Sequence, residues 1–284
     1  MEVGIVGLGL IGGSLAIDLR SLGHRVVGVG RRVETCELAI ARGMVDEASP
    51  DLASLAGADV VFLCTPLGVM EATVRELVPH LKDSAILTDV GSVKQPVVEA
   101  IAPLWRNFVG GHPMAGTAES GLEAALAGLF VNRPYVLTPV ASTSAEAIAV
   151  VGDMVRSLQA TLYQCQPAVH DRAVAWISHL PVMVSASLLK ACLQESDPIV
   201  LELAQQLASS GFRDTSRVGG GNPELGVMMA KYNQTALLES LKVYRQVCDH
   251  VIGLIEQSRW HDLEAILQQT QQARPSYLRS ETER

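Results

Sequence analysis

The chain has 284 residues, of which 48% are hydrophobic, and a formal net charge of -8 with an isoelectric point near 5.4. This length and apolar content suffice for two modest domains, or one large domain, with a sizeable core. The acidic balance gives no broad basic field for a nucleic-acid backbone. We therefore expect no nucleic-acid partner, and we expect local arginines to bind small anions.

Charges or glycines interrupt the apolar runs before they reach about 18 residues, so the sequence predicts no membrane-spanning segment. The first strand pattern begins almost at Met1 and leaves no room for a signal peptide, which predicts a cytoplasmic protein. The cysteines are odd in number, widely spaced and without a CxxC pair, so we expect core residues rather than a disulfide framework or a metal site. They are Cys36, Cys64, Cys165, Cys192 and Cys248.

The chain opens with an apolar strand pattern, residues 2–6, that runs into a glycine-rich turn and then a helical pattern. The turn has the GxGxxG spacing of a dinucleotide site in its required strand–turn–helix context. Gly7 permits the tight turn, Gly9 lets the backbone approach a pyrophosphate, and Gly12 allows close helix–strand packing. Leu10 and Ile11 complete the predicted phosphate-binding turn at the start of the helix.

A second strand pattern, residues 25–29, ends at the place where an acidic residue would bind the ribose hydroxyls of NAD. Gly30, Arg31 and Arg32 stand there instead. No carboxylate would repel a ribose phosphate, and two planar guanidinium groups could bind one. The pattern favours NADP over NAD, with a merely solvated loop as the alternative.

Further strand patterns alternate with helical ones, which predicts an α/β fold with a parallel, doubly wound sheet of the Rossmann type. Strands are predicted at 59–64, 85–89, 108–110, 135–138 and 161–165, and helices at 35–42, 70–81, 93–104 and 144–158. Beyond residue 166 the β-branched runs stop, and long helical patterns follow at 171–193, 198–210 and 223–257. We therefore predict an NADP-binding domain over residues 1–166 and an all-helical domain over residues 167–284.

The helical pattern at 237–255 has an apolar face too wide for a helix packed on one neighbour. It lies either in the middle of its own domain or against another subunit. We expect a homodimer formed through the helical domain. The polar tail, residues 273–284, contains Pro275 and is predicted to be frayed.

Candidate reactive residues follow the predicted strands, because open parallel sheets bind ligands at the carboxyl ends of their strands. Thr65 and Pro66 follow the strand pattern at 59–64 and are predicted to contact the cofactor. Ser92 follows the strand pattern at 85–89 and is either a hydroxyl relay or a helix N-cap. His112 follows the strand pattern at 108–110 among glycines that would let a ligand approach. Its imidazole is the strongest candidate for a base, against the alternative of a structural turn histidine.

The predicted helical domain supplies a second group of candidates. His179 interrupts an apolar helical pattern and is either a pocket residue or a satisfied core residue. Arg213 and Arg217 are either helix-end charges paired with Asp214 or donors to an anionic substrate. The pair at 170–171 is interpreted as a capping pair at the start of the first long helix.

Five motifs together resemble the prephenate/arogenate dehydrogenase family of tyrosine biosynthesis over nearly the whole chain. They lie at residues 7–12, 89–94, 111–117, 178–181 and 211–217. The resemblance implies an oxidative decarboxylation, in which hydride leaves the ring carbon bearing the 4-hydroxyl and the ring carboxylate leaves as CO2. We expect no metal in the site.

By this resemblance, His112 would be the base bonded to the substrate hydroxyl, and Ser92 would hold that hydroxyl and His112 in register. Arg217 would bind a substrate carboxylate, His179 would line the pocket, and Arg213 would assist. Many family members have a tryptophan nine positions after the substrate arginine, where this chain has Gly226. The pocket wall near the side-chain end of the substrate is therefore expected to differ.

Prephenate carries a keto acid at that end and arogenate an amino acid. NADP use often accompanies arogenate use in the family, so we expect arogenate as substrate, with prephenate as the alternative. A hydroxyacid dehydrogenase or imine reductase often has its base as a lysine on the first long helix. The only lysine there is Lys190, far from the cofactor end, which argues against these enzymes. A dinucleotide-binding protein without catalysis would leave His112, His179 and Arg217 unexplained.

Overall fold

The computed structural model describes residues 1–117 and 119–278 and contains an eight-stranded sheet followed by helices. The strands are β1 (Glu2–Val6), β2 (Arg25–Val29), β3 (Glu47–Ser49), β4 (Val60–Leu63), β5 (Ile86–Asp89), β6 (Phe108–Pro113), β7 (Pro134–Thr138) and β8 (Thr161–Gln164). Their order in the sheet is β3-β2-β1-β4-β5-β6-β7-β8. Strands β1 to β6 pair in parallel, and β7 runs antiparallel to β6.

Helices cover both faces of the sheet, as the alternating pattern predicts. The sheet helices are α1 (Leu10–Ser21), α2 (Val33–Ala41), α3 (Leu67–Leu77), α4 (Gln95–Ile101) and α5 (Ala145–Ser157). Alternate strand residues feed two apolar clusters, with Val60 and Phe62 in one and Val61 and Leu63 in the other. The predicted Rossmann-type α/β class is confirmed.

The remaining helices form the second part of the chain, as the loss of strand patterns predicts. They are α6 (Pro167–Val174), α7 (Leu180–Cys192), α8 (Pro198–Leu207), α9 (Ser210–Ser216), α10 (Pro223–Tyr232), α11 (Gln234–Glu256) and α12 (Trp260–Tyr277). The tail predicted to be frayed is helical up to Tyr277, and residues 279–284 lie outside the described part of the chain.

The predicted strand at 108–110 is too short, since β6 extends to Pro113 and places His112 inside the sheet opposite Val136. Gly110 and Gly111 suggest a turn, but in the structure they permit close approach of neighbouring strands. A Cβ at Gly110 would lie 2.5 Å from Thr138 Oγ1, and one at Gly111 would lie 2.6 Å from the Asp89 carbonyl oxygen. His112 is therefore held by a strand rather than by a loop.

The first long helical pattern is interrupted in the structure. A π turn, Ala175–His179, joins α6 to α7, and Pro181 lies at the start of α7. Proline has no N–H to donate within the helix, and π turns are frequent at functional sites. The change of helix type ends at His179.

By length and composition alone, one helix among the described residues, Pro167–Cys192, is long and apolar enough to cross a membrane. The sequence predicted no membrane-spanning segment, because charges or glycines interrupt its apolar runs. The polar residues His170, Asp171 and His179 of this helix are buried within the protein. These buried polar residues hold one side of the helix in the fold, while Trp176 and Ile177 on the same helix are exposed.

The glycine-rich turn after β1 has the geometry that its spacing requires. Gly7 has a φ of +104°, and a Cβ there would lie 2.7 Å from the Cys64 carbonyl oxygen. A Cβ at Gly12 would overlap the carbonyl oxygen of Gly7, whereas one at Gly9 would meet no atom within 4 Å. Gly7 and Gly12 therefore serve the fold, while Gly9 leaves the turn open on its outer side.

This difference predicts unequal effects of alanine in the turn. Gly12→Ala forces the turn apart and should destabilise the chain by about 1–3 kcal/mol, the usual effect of overpacking. Gly9→Ala should cost less than about 1 kcal/mol, because its methyl group meets open space. Thermal unfolding of both variants beside the wild type measures the difference. Equal shifts in Tm would contradict the packing described here.

Candidate active site

A cluster of buried polar side chains joins the sheet to the helical part of the chain. His112 lies on β6, His170 and Asp171 lie on α6, His179 ends the π turn, and Asn233 lies between α10 and α11. Each is less than a tenth exposed. Buried polar groups require hydrogen-bond partners, and here most of those partners lie within the cluster.

A chain of hydrogen bonds connects His112 to a carboxylate. His112 Nδ1 lies 2.8 Å from His170 Nε2, and His170 Nδ1 lies 2.7 Å from Asp171 Oδ1. The two imidazole rings meet edge to face, with an interplanar angle of 71°. Such a chain fixes the orientation of the His112 ring through its Nδ1 atom.

The same chain determines which nitrogen of His112 carries a proton when both rings are neutral. A carboxylate only accepts hydrogen bonds, so His170 Nδ1 donates to Asp171 and His170 Nε2 accepts. His112 Nδ1 must then donate to His170. The Nε2 atom of His112 is left with a free lone pair, which is the form that a general base requires.

Asp171 also caps a helix, although not its own. Its Oδ1 accepts from Lys94 N at 2.7 Å, and its Oδ2 accepts from Gln95 N at 2.8 Å, at the start of α4. The interpretation of residues 170–171 as a capping pair for the first long helix is therefore wrong. That helix begins at Pro167, and the Asp171 carboxylate crosses to α4 because it supplies an acceptor for orphan helix amides.

A fully buried ion pair holds the segment that carries Ser92. The Lys94 ammonium contacts the Asp89 carboxylate, and Lys94 Nζ also donates to the Gly111 carbonyl oxygen at 2.6 Å. Asp89 accepts further bonds from Gly91 N at 2.8 Å and Gly111 N at 3.0 Å. A buried pair of this kind needs such extra bonds to offset its desolvation. It ties β5, the Ser92 segment and the residue before His112 into one unit.

Burial keeps the His112 and His179 rings uncharged near neutral pH. Desolvation lowers the pKa of His112 well below its ordinary value, and the nearby His170, Lys94 and His179 lower it further. Burial also lowers the pKa of His179 to about 4, although Asp171 acts in the opposite direction. Both rings are therefore available as neutral hydrogen-bonding groups.

The residues predicted to bind the cofactor lie together at the carboxyl edge of β1, β2 and β4. Gly30 is buried, and a Cβ there would lie 3.1 Å from Cys36 Sγ, while Arg31 and Arg32 are exposed. No ion pair involves either arginine within the described residues. Thr65 N lies 3.1 Å from the Cβ position of Gly7, and Pro66 directly precedes α3. An open glycine turn beside two unpaired guanidinium groups fits the phosphates of a dinucleotide.

Leu10 and Ile11 begin α1 directly after the glycine turn, so their amides face the same opening. Ser92 is half-buried and does not cap α4, which begins at Gln95. The buried hydroxyl oxygen of Thr65 has no hydrogen-bond partner in the described part of the chain. Leu10, Ile11 and Thr65 thus lie beside the glycine turn, and Ser92 lies in the segment after β5.

The two arginines lie outside the buried cluster. Arg213 is on α9 and makes a 3.3 Å ion pair with Asp214, in which both side chains are more than two thirds exposed. Such an exposed pair contributes little to stability. Arg217 starts a 3₁₀ turn, Arg217–Gly220, and is exposed. The structure brings His112 and His179 into one cluster and leaves both guanidinium groups at the surface of the helical part.

The sequence patterns assign no site role to four residues that hold this cluster together. Asp89, Lys94, Asp171 and Asn233 are buried polar residues. A charged residue within an otherwise apolar run is a usable signal for Lys94 and Asp171, because an unpaired buried charge is costly. Asn233 has no such signal, since it lies inside the helical pattern predicted at 223–257, where a single polar residue is ordinary.

Among residues 1–117 and 119–278, no group of three or more His, Cys, Asp or Glu is arranged to hold a metal ion. The clustered histidines instead bond to one another, to Asp171 and to Asn233. The arrangement is therefore suited to proton transfer and hydrogen bonding.

Two family models match the chain. One is described as "Prephenate dehydrogenase, nucleotide-binding domain" and matches residues 15–164; the other is described as "Prephenate dehydrogenase, dimerization domain" and matches residues 166–269. The chain belongs to the prephenate dehydrogenase family. Because its members share this activity, the protein is a prephenate/arogenate dehydrogenase, and its cofactor is a nicotinamide dinucleotide.

Relatives within the prephenate dehydrogenase family differ in named substrate. The chain is 31% identical to a Bacillus subtilis "Prephenate dehydrogenase" over 89% of this chain and 70% of the relative. A solved Synechocystis arogenate dehydrogenase is 55% identical with a TM-score of 0.88, covering 98% of this chain and 100% of that one. An Aquifex aeolicus prephenate dehydrogenase, solved with hydroxyphenyl propionate and NAD+, is 27% identical with a TM-score of 0.92, covering 98% of both chains.

The position of Asp171 behind His170 and His112 predicts a large effect on turnover. Asp171→Asn presents an amide that can match only some of the three donors around it, so His170 and His112 lose their fixed tautomers. We expect kcat to fall by about 10² to 10⁴, the range for a mis-set general base. Steady-state kinetics of the dehydrogenase reaction measures it.

Asp197→Asn is the matched control, because Asp197 Oδ1 caps α8 at an exposed site through a 2.8 Å bond from Ile199 N. It makes the same chemical change at another helix start and should leave kcat unchanged. Similar kcat values for the two variants would show that Asp171 acts only as a helix cap.

Proposed function

We propose that this protein is an NADP-dependent arogenate dehydrogenase that converts arogenate to tyrosine with release of CO2. Residues 1–166 would bind the dinucleotide, and residues 167–284 would complete the substrate pocket. The observation that carries the reaction is the neutral, oriented His112, whose Nε2 lone pair is set by His170 and Asp171. When bound, the nicotinamide supplies the acceptor for the hydride that leaves the ring carbon bearing the hydroxyl.

In this proposal His112 Nε2 accepts the proton of that hydroxyl as the carbonyl forms. The proton reaches a ring whose Nδ1–H is already bonded to His170, so the positive charge is shared toward the Asp171 carboxylate. The bonding electrons released with CO2 would move through the ring to the carbonyl oxygen, so the ring becomes aromatic and the oxygen takes the proton back from His112. Ser92, in the segment held by Lys94 and Asp89, would keep the hydroxyl in register with His112.

The substrate carboxylates would be bound from the helical part of the chain. Arg217 is exposed and free of ion pairs within the described residues, so its guanidinium is available for a bidentate contact. Arg213 is engaged by Asp214 and would act as a helper. His179 would line the pocket between these arginines and His112.

Two observations favour arogenate and NADP over prephenate and NAD. Arg31 and Arg32 stand exposed where an acidic residue would select NAD, and the similar Synechocystis protein is named an arogenate dehydrogenase. A Cβ at Gly226 would meet only Met183 Cε, at 4.0 Å, so this part of α10 leaves space that a larger residue would fill. Prephenate as substrate is the alternative, since the Bacillus subtilis relative is named for it.

A side-by-side assay tests the proposal. The purified chain is given arogenate or prephenate with NADP or NAD, and reduced cofactor and product are measured. We expect tyrosine from arogenate with NADP as the most efficient reaction. A higher kcat/KM with prephenate would assign the alternative substrate.

The arginine pair predicts a measurable cofactor preference. Arg31→Ala together with Arg32→Ala removes the donors to a ribose phosphate, and we expect the ratio of kcat/KM for NADP over NAD to fall by at least about tenfold, or 1.4 kcal/mol. Gly30→Asp should lower the same ratio by charge repulsion. Arg42→Ala, at the far end of α2 and also exposed, is the matched control. An unchanged ratio in the double variant would refute this cofactor site.

The state of His112 predicts the form of the pH profile. Only the neutral ring accepts a proton, and its pKa is lowered by burial, so activity should persist as pH falls through 6.5 and be lost below that value. His112→Asn removes the base and should lower kcat by about 10² to 10⁴, with substrate affinity largely kept. The pH dependence of kcat/KM and the kinetics of the variant check both statements. A full loss of activity at or above pH 6.5, or normal turnover in the variant, would count against the assignment.

We also propose that the helical part forms a homodimer. Helix α8 has no buried residue within the single chain, and its apolar side chains Ile199, Leu203 and Leu207 are more than half exposed. A helix with such a face is stabilised by burial against another surface. The matching family model is itself described as a dimerization domain. A second copy of this chain is the partner that fits both observations.

A further inference from the structure

His179 has one ring nitrogen with a clear partner and one without. Its Nδ1 lies 3.1 Å from Nδ2 of Asn233. Its Nε2 is buried and has no hydrogen-bond partner within residues 1–117 and 119–278. A buried polar atom without a partner is costly, which points to a partner supplied by a ligand.

The orientation of the Asn233 amide follows from its second contact. The amide nitrogen also lies 2.7 Å from the backbone carbonyl oxygen of Asp171. A carbonyl oxygen only accepts, so the atom facing it must be the NH2 group and not the amide oxygen. The alternative orientation would press two acceptors together in a buried site.

The amide orientation then determines the state of His179. The second hydrogen of the Asn233 NH2 group points to His179 Nδ1, which must accept it and therefore carries no proton. Burial, with the pKa at about 4, keeps the ring neutral. The single ring proton is consequently on Nε2, the atom without a partner.

We propose that Asn233 is a positioning residue that holds His179 in its Nε2–H form, so that the pocket presents His179 as a hydrogen-bond donor to an acceptor oxygen of the substrate. A carboxylate or keto oxygen satisfies this donor, whereas an ammonium group does not. The inference rests on the proposed function, in that His179 lines the substrate pocket.

Asp171 sets His112 and His179 in opposite hydrogen-bonding states. Its carboxylate acts through His170 and leaves His112 Nε2 as an acceptor, while its backbone carbonyl acts through Asn233 and leaves His179 Nε2 as a donor. A substrate with a hydroxyl to deprotonate and an oxygen to anchor matches this pair. Reversal of either tautomer would place two donors or two acceptors against each other, and the substrate would lose that hydrogen bond.

The tautomer can be measured directly in the full-length protein without substrate. Ring ¹⁵N chemical shifts distinguish a protonated from an unprotonated nitrogen, and comparison with His179→Gln assigns the His179 signals. We expect the wild type to carry the proton on Nε2. A proton on Nδ1 would overturn the proposal.

Asn233→Asp tests the cause of this state. A carboxylate cannot donate to His179 Nδ1, so we expect the ring proton to move to Nδ1 and KM to rise by about tenfold or more, with a smaller change in kcat. Asn233→Ala, which removes the donor without adding a charge, should also raise KM and give a mixture of tautomers. It keeps the test available if the aspartate variant does not fold.

Asn222→Asp is the matched control, since Asn222 Oδ1 caps the other end of α10 by accepting an exposed 2.9 Å bond from Glu224 N. Asparagine and aspartate are equally good at such a position, so both tautomer and KM should stay unchanged. An unchanged His179 tautomer and KM in both Asn233 variants would overturn the role of Asn233. Failure of the proposed function is a separate result, namely no cofactor reduction with either substrate, and it leaves the ¹⁵N measurement readable.

Discussion

The arrangement of the candidate active site depends on the hydrogen bonds of one residue, Asp171. Its carboxylate accepts from the His170 ring and from two backbone amides at the start of α4, and its carbonyl accepts from Asn233. A carboxylate that accepts from several donors is fixed in place by them. Because α6 follows the last strand of the sheet, these bonds also tie the helical part of the chain to the segment after β5.

A second constraint acts from the sheet side. The buried Asp89–Lys94 pair bonds to both backbone groups of Gly111, directly before His112. His112 is thus held by its own strand and by the helix opposite. Desolvating an ion pair is costly, and this pair offsets the cost with backbone hydrogen bonds that define the position of a reactive ring.

The dinucleotide end of the molecule follows a different principle. There the backbone itself shapes the site, through the left-handed conformation of Gly7 and the close approach of Gly12 to the turn. The arginines beside it are exposed and adjustable, in contrast to the buried histidines. A phosphate is recognised by available charge, whereas proton transfer requires fixed geometry and a dry environment.

The sequence by itself determined the α/β class, the glycine turn and the change to helices near residue 166, because apolar periodicity and glycine placement are local signals. It also singled out His112 and His179 as residue types. Only the tertiary structure decided that His112 lies in a strand, that residues 170–171 serve the site, and that Asn233 bonds to Asp171 and His179. Those relations join atoms from positions 58 and 54 residues apart, and no local pattern encodes such a pairing.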